Sequence, residues 1–291
     1  MPLLRHDLLR KLHEVYQPRT YFEIGVEYGR SLALSRVPTV AVDPAFKVVS
    51  EISCDLQLVK ATSDAFFLRD DPFEHFGGAP VDLAFIDGMH RFEFALRDFI
   101  NVERYTDWTS VIVFDDVLPR GVDEAARDRH TRDWAGDVYK ILPVLQRYRA
   151  DLVTIIVDTQ PTGTLVVLGA DSGNRVLAEK YDEILHDYVV DDPQQVPADI
   201  LQRRCALDPH TVVEAPFWSA LRAARDDPGT GDLDKWQLHA AVERSLALKA
   251  TARVGGWRPE QRPRRAGFRG SFRLPADWQR ALRQWVHRAR G

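Results

Sequence analysis

Residues 81–116 read VDLAFIDGMHRFEFALRDFINVERYTDWTSVIVFDD and predict a strand, a helix and a second strand. The runs LAFI and VIVF are continuously apolar, which is typical of strands covered by helices on both faces. Between them, residues 90–105 carry apolar side chains near helical spacing. Alternation of this kind favours a parallel sheet with crossover helices.

The same alternation extends over the first 170 residues. Only six residues, DTQPTG, separate the last two predicted strands. A parallel crossover needs a dozen or more, so the seventh strand should return antiparallel beside the sixth. The predicted strands are Tyr21–Ile24, Thr39–Val42, Leu56–Lys60, Val81–Ile86, Thr109–Phe114, Asp151–Val157 and Thr164–Leu168. The predicted fold class is α/β: a doubly wound, seven-stranded, mostly parallel Rossmann-like sheet with an antiparallel last strand, plus a helical C-terminal extension.

The rest of the chain predicts helices joined by polar, proline-containing stretches. A further helix is predicted within the sheet region, over residues 137–148. The later predicted helices are Arg175–Tyr188, Pro216–Arg225, Leu233–Arg253 and Pro275–Arg288. We therefore predict three parts: an α/β domain over 1–170, a helical extension over 171–253, and a basic, partly disordered tail with a short terminal helix over 254–291.

Composition limits the class of protein. The 291 residues are 45% hydrophobic, enough for a proper core, which excludes a wholly disordered chain. No apolar run approaches the roughly 18 residues that cross a bilayer, and the start lacks the apolar core of a secretory signal. Two cysteines are too few for a disulfide framework. These features predict a soluble, cytoplasmic protein without a membrane partner.

The net charge of −4 is unevenly distributed. Residues 251–291 hold eleven arginines and two acids, a net +9, which leaves −13 for the remainder. Arginines interleaved with aromatic rings suit nucleic acid. We favour instead that the tail docks on its own acidic body or contacts a second subunit in a homo-oligomer.

Ligands of doubly wound sheets bind beyond the carboxyl ends of the strands, near the point where the strand order reverses. After the first strand comes E-I-G-V-E-Y-G-R-S, residues 23–31, where Gly25 and Gly29 permit a tight turn and close approach to a ligand. The second strand ends at Asp43, a place where an acid commonly accepts hydrogen bonds from ribose hydroxyls. An ordinary strand-to-helix turn and a helix cap are the competing interpretations. Together the two features favour a nucleoside-bearing cofactor.

Aspartates follow two further strands. The fourth strand ends in FIDGMH, with Asp87 and His90, and the fifth ends in VFDD, with Asp115 and Asp116. If these strands are neighbours, they lie about 4.8 Å apart and three carboxylates converge. Such a group favours a bound cation, and oxygen ligands without cysteine suit Mg²⁺, Mn²⁺ or Ca²⁺. The aspartates could instead cap the helices that follow.

His90 lies at the start of the next helix, close to these aspartates. Its unperturbed pKa of about 6.5 would let it accept a proton from a substrate hydroxyl. A role as metal ligand or helix cap stays open. The charged segment 117–140 is long enough to act as a lid or substrate wall, with His130, Trp134 and Asp137 as candidate contacts. Asp137 could also cap the helix after it.

Taken in order, E-I-G-x-E-x-G-x-S, A-V-D, F-I-D-G-x-H and V-I-V-F-D-D resemble class I S-adenosylmethionine-dependent methyltransferases. More narrowly, they are similar to the metal-dependent O-methyltransferase-like subfamily that includes sugar and natural-product tailoring enzymes. The likeness covers roughly residues 1–170, which it makes the cofactor-binding domain.

The resemblance implies a role for each matched residue. Glu23, Gly25 and Gly29 form the first cofactor loop, Asp43 binds the ribose, and Ser63 lies near the adenine. Asp87 borders the cofactor and, with Asp115 and Asp116, binds a divalent metal, Mg²⁺ by the resemblance. Some relatives carry an acidic base where this chain has Met89, which moves that role to His90 or leaves it vacant. The implied reaction is methylation of a hydroxyl on a small molecule or sugar.

Three other functions stay open. A nicotinamide-dependent oxidoreductase could use a similar sheet, but the chain lacks G-x-G-x-x-G. A nucleic-acid methyltransferase would account for the basic tail, although I-D-G-x-H replaces the proline–aromatic signature of enzymes that methylate base amines. A non-catalytic binding module on this scaffold is the third.

Overall fold

The computed structural model describes residues 3–228 and 233–246. Its strands are β1 Tyr21–Ile24, β2 Thr39–Val42, β3 Leu56–Val59, β4 Leu83–Ile86, β5 Val111–Asp115, β6 Val153–Val157 and β7 Thr164–Leu168. They form one sheet in the order β3-β2-β1-β4-β5-β7-β6. The first five strands pair in parallel, and β7 is antiparallel to both β5 and β6. The predicted fold class is therefore confirmed, including the antiparallel last strand.

Helices cover both faces of the sheet. They are α1 Arg5–Tyr16, α2 Ser63–Phe67, α3 Phe92–Glu103, α4 Ile141–Tyr148, α5 Val176–Glu179, α6 Tyr181–Tyr188, α7 Ala198–Leu201, α8 Pro209–Val213, α9 Phe217–Asp226 and α10 Leu238–Ser245. The predicted helix over 175–188 is divided in two at Lys180, where the backbone leaves helical geometry. The predicted helix over 137–148 begins as a 3₁₀ turn, Val138–Lys140.

Side chains of successive strand residues point to opposite faces, which gives the sheet two cores. On β1, Phe22 and Ile24 pack in the core that includes residues of α2, α3 and α4. Tyr21 packs in the other core, which includes residues of α1, α8 and α9. Helix α9, which is buried along one face, also contacts α1, where the Arg225 guanidinium donates to the Tyr16 carbonyl at 3.0 Å.

The division of the chain at residues 170 and 253 stays a prediction. The tail over 254–291, the predicted helix Pro275–Arg288 and the end of the predicted helix Leu233–Arg253 lie outside the described residues. The three predicted roles of the tail, in nucleic-acid binding, docking on its own body and contact with a second subunit, therefore stay predictions as well. Within 3–228 and 233–246, no helix combines the length and apolarity needed to cross a bilayer.

The strand order reverses at β1, which pairs with β2 on one side and β4 on the other. The loops after these strands meet at the carboxyl edge. Gly25 shows how closely they pack: its φ is +90°, and a Cβ there would lie 1.8 Å from the Asp87 carbonyl oxygen. Any side chain at Gly25 would therefore separate the loop after β1 from the loop after β4.

Candidate active site

A cavity of about 820 Å³ lies at this reversal point. Its volume is within the range of ordinary small-molecule sites. The loops after β1, β2, β3, β4 and β5 all contribute to its wall. Six of the predicted site residues line it: Gly25, Asp43, Ser63, Asp87, His90 and Asp116. The positions predicted from separate parts of the sequence thus come together around one space.

Asp87, His90 and Asp116 form a compact group beside the cavity. Strands β4 and β5 are neighbours, as the convergence of the aspartates requires, with Ile86 opposite Phe114. His90 Nε2 lies 3.2 Å from an Asp87 carboxylate oxygen, and Nδ1 lies 3.0 Å from Asp116 Oδ2. One potential ligand atom from each residue falls within 4.8 Å of the others.

The protonation of His90 follows from a backbone contact. Nδ1 lies 2.7 Å from the Trp134 carbonyl oxygen, which can only accept, so Nδ1 carries a proton. Asp116 Oδ2 lies 3.0 Å from the same nitrogen and is buried, and no well-directed hydrogen bond reaches it from the residues that the structure describes. Burial opposes a second proton on the ring, but the charges of Asp116 and Asp87 outweigh it and raise the pKa of His90 well above 6.5.

Asp115 lines a small space together with these three residues and is also bound by Arg5, a residue that the sequence did not indicate. Arg5 Nη1 donates to Asp115 Oδ2 at 2.6 Å, and Nη2 lies 3.9 Å from Asp87. Asp115 is 2% exposed and does not line the large cavity, whereas Arg5 does. Burial, followed by the charges of Asp116 and Asp87, raises the pKa of Asp115 well above its ordinary value.

Residues 119–137, the lid segment, cover His90. The Trp134 ring stacks on the imidazole, with centroids 5.2 Å apart and planes at 16°. Gly136 has a φ of +61°, and a Cβ there would lie 1.7 Å from the His90 carbonyl oxygen. His90 itself has a φ of +53°, an uncommon conformation for a residue with a side chain. The lid segment thus fixes His90 in a strained backbone position.

Buried charges anchor the lid segment. Arg127 binds Glu93 at the start of α3 and also Asp137, each with a contact of 2.6 Å. Asp137 further accepts from Lys140 and from the Phe92 backbone N–H. Of the three candidate substrate contacts, Trp134 lines the cavity, while Asp137 is fully buried in this network. His130 is not among the lining residues.

Two predicted cofactor residues do not line the cavity. Glu23 is fully buried and accepts hydrogen bonds from the hydroxyls of Tyr21 and Ser31, both at 2.7 Å. Burial raises its pKa to about 8. Gly29 has a φ of +76° and packs against Val48. Both residues shape the loop after β1, and their contact with a cofactor stays a prediction.

Asp43 organises the same loop. One carboxylate oxygen accepts from the backbone N–H groups of Val26 and Glu27 at 2.9 and 3.0 Å, and the other accepts from Ala45 at 2.6 Å. Asp43 therefore connects the loop after β2 to the loop after β1. It also lines the cavity, and its role toward a ribose stays a prediction.

Asp98 is another of the cavity residues that were absent from the predicted site. It lies on α3 and is 3% exposed, and its Oδ1 has no hydrogen-bond partner. Burial raises its pKa to about 7. Ser63 and Gly88 line the cavity with it. The sequence signal that could have indicated Asp98 was an acid close to the apolar residues Leu96 and Phe99 of the predicted helix.

Comparison with known proteins bears on the class of protein that this arrangement defines. Residues 22–117 match the model of a family described as methyltransferase domain. This part of the chain is thus similar to methyltransferase domains, and the predicted resemblance is confirmed at that level. The matched range begins in β1 and ends just after Asp116, so it includes the loops that form most of the cavity wall.

Solved structures with similar folds include cofactor-bound Rv0187 from MTB, at 19% identity and a TM-score of 0.45. An O-methyltransferase from Bacillus cereus in complex with SAH shows 16% identity and a TM-score of 0.40. The O-methyltransferase TomG from Streptomyces achromogenes, involved in tomaymycin synthesis and solved with SAM, shows 20% and 0.39. Each alignment covers 57% of this chain and 80% of the other. No curated protein sequence matches the chain.

Proposed function

We propose that the chain transfers the methyl group of S-adenosylmethionine to a hydroxyl of a small-molecule or sugar acceptor. The observation that carries the proposal is one cavity at the strand-order reversal, lined both by the predicted cofactor loops and by the Asp87–His90–Asp116 group. Most of the residues that line it fall in the range 22–117, which matches a methyltransferase-domain model. The nicotinamide-dependent alternative has no comparable support, because the matched domain belongs to a different class of enzyme.

The cofactor is proposed to lie along the loops after β1, β2 and β3. Gly25 provides a surface without a side chain, Asp43 provides carboxylate oxygens, and Ser63 provides a hydroxyl at the start of α2. The cavity wall also carries Asp87 and Asp98, whose carboxylates would favour a cationic sulfonium over a phosphate-bearing ligand.

Two of the three predicted metal ligands are well placed to bind a divalent cation. Asp87 and Asp116 present carboxylates to the cavity, and Asp116 Oδ2 is buried without a hydrogen bond. Mg²⁺ commonly binds one or two carboxylates and keeps several waters. Asp115 fits less well, because Arg5 binds its Oδ2 and it does not belong to the compact group of potential ligands, although its Oδ1 has no hydrogen bond among the described residues. We therefore propose Asp87 and Asp116 as the ligands, with Asp115 outside the set.

A cation at this place would polarise the acceptor oxygen and offset the two charges that raise the pKa of His90. His90 is the proposed general base. The Trp134 carbonyl fixes the proton on Nδ1, so neutral His90 has its lone pair on Nε2, beside Asp87. Nε2 would accept the hydroxyl proton, and Trp134 above the ring would exclude water. Holding the acceptor oxygen against the methyl donor supplies much of the rate advantage.

Calorimetry with S-adenosylmethionine and with NADH, followed by transfer of labelled methyl to phenols, vicinal diols and sugars, tests the proposal. We expect saturable binding of S-adenosylmethionine and transfer that EDTA suppresses. His90→Gln should lower the transfer rate by about 10²–10⁴-fold and leave Mn²⁺ affinity unchanged. The matched control, His75→Gln, changes a histidine that contacts Asp55 away from the cavity.

Each result has a definite meaning. Saturable NADH binding without S-adenosylmethionine binding would refute the methyltransferase activity. Transfer that survives EDTA would refute the metal. A loss of Mn²⁺ affinity in His90→Gln would show that His90 is a metal ligand instead of the base.

A further inference from the structure

We propose that Arg5 is a catalytic residue of this site: its guanidinium, anchored on Asp115, binds the acceptor oxygen and stabilises the negative charge that develops there. This inference rests on the proposed function. In the step concerned, the acceptor oxygen forms a bond to the methyl carbon while the bond from sulfur to that carbon breaks. The electron pair of the broken bond stays on sulfur, and the hydroxyl proton passes to His90.

The position of Arg5 supports this role. Its guanidinium lies between the cavity and Asp115, 2.6 Å from the Asp115 carboxylate and 3.9 Å from that of Asp87. Within the described residues, the Arg5 side chain makes one hydrogen bond, to Asp115. A guanidinium has five N–H donors, so donors remain for a ligand in the cavity. The Arg5 side chain is 27% exposed, enough for a ligand to reach it.

Arg5 also has rigid support. It is the first residue of α1, and its backbone N–H donates to the Gln160 carbonyl at 3.2 Å. The Gln160 N–H in turn donates to the Leu3 carbonyl at 2.9 Å. The buried residues of α1 pack against the sheet. A donor fixed before the reaction stabilises developing charge most effectively, because it need not reorganise.

The charge of Arg5 suits its surroundings. In the proposed reaction the acceptor hydroxyl loses its proton near three carboxylates, those of Asp87, Asp115 and Asp116. Their negative charges oppose that loss. Arginine stays protonated under all ordinary conditions, so Arg5 offsets one of these charges permanently. The contact occupies Oδ2 of Asp115 and leaves Oδ1 without a hydrogen bond among the described residues. Arg5 thus competes with a cation for one oxygen of Asp115 while it serves the acceptor oxygen directly.

The test compares Arg5→Met and Arg5→Lys with Arg10→Met, an arginine on the same helix whose one ion pair among the described residues is with Asp7 at the surface. Arg5→Met should lower the rate of methyl transfer by about 10²–10³-fold. Its dissociation constant for S-adenosylmethionine should stay within about threefold of the wild-type value. Arg5→Lys should restore part of the rate, because lysine keeps the charge but not the planar fork. Arg10→Met should match the wild-type protein.

A second readout does not depend on activity. Mn²⁺ titration followed by electron paramagnetic resonance should show tighter binding to Arg5→Met, because the variant frees Oδ2 of Asp115 and removes a positive charge beside Asp87. A double-mutant cycle on the rate of methyl transfer is a third readout. The losses of rate caused by Arg5→Met and by Asp115→Asn should not add, because the two residues act as a pair. A near-wild-type transfer rate in Arg5→Met, additive losses, or unchanged Mn²⁺ affinity would overturn the inference. Absence of transfer in the wild-type protein would instead refute the proposed function.

Discussion

Glu23→Gln should make the protein less sensitive to alkaline pH. Glu23 lies at the centre of β1, fully buried, with the hydroxyls of Tyr21 and Ser31 on its carboxyl group. Burial raises its pKa from 4.5 to about 8. Between these values the native state holds a proton that the unfolded state has released. The free energy of unfolding therefore falls as pH rises through this range, by about 1.4 kcal/mol per pH unit.

From pH 6 to pH 9 this loss amounts to about 3 kcal/mol, most of it below pH 8. Glutamine is nearly isosteric and cannot ionise, and it can pair with both hydroxyls. Urea unfolding at pH 6, 7, 8 and 9 measures the effect as the difference between variant and wild type. Other titrating groups largely cancel in this difference.

Glu14→Gln is the matched control, because Glu14 is exposed on α1 and, within residues 3–228 and 233–246, forms one ion pair, with Lys11. Its difference from the wild type should stay within about 0.5 kcal/mol at every pH. If the stability curves of Glu23→Gln and the wild type run parallel from pH 6 to pH 9, Glu23 is ionised throughout and the reasoning from burial is wrong.

Two further predictions concern the cavity wall. Gly136→Ala should preserve the binding of S-adenosylmethionine but lower methyl transfer at least about tenfold, because its Cβ would displace the lid segment from His90. Gly121→Ala, in the same segment with open space around it, is the control, and equal rates for the two variants would contradict the packing argument. In the wild type, the binding of S-adenosylmethionine should strengthen as pH rises through about 7, because an ionised Asp98 attracts the sulfonium. Calorimetry measures this pH dependence, and Asp98→Asn should abolish it. A wild-type affinity independent of pH would exclude contact between Asp98 and the cofactor.

Much of the fold could be predicted from the sequence. The continuous apolar runs and the helical spacing between them are local patterns, and they place all seven strands within about two residues of their observed bounds. The six-residue connection before β7 required an antiparallel return, because chain length alone excludes a parallel crossover. Helix α1 was not predicted, and neither were the short helices α2, α7 and α8, whose four or five residues carry too little periodicity.

The site was less accessible to prediction. Asp87, His90 and Asp116 were identifiable because they directly follow strands whose ends must share one edge of the sheet. Arg5 was not, because 110 residues separate it from Asp115 and its helix looks like any amphipathic surface helix. The packing of α1 against one face of the sheet brings the Arg5 guanidinium to the carboxylates of Asp87 and Asp115.

The sequence by itself determined the order of strands along the chain and the acids that follow them, because both depend on neighbours in the chain. The tertiary structure decided which charges meet. It paired Asp115 with Arg5 and stacked Trp134 on His90. It also buried Glu23, which was expected to contact the cofactor, against the hydroxyl of Ser31. These pairings depend on contacts between segments far apart in the chain, and their energies depend on burial, which local sequence does not specify.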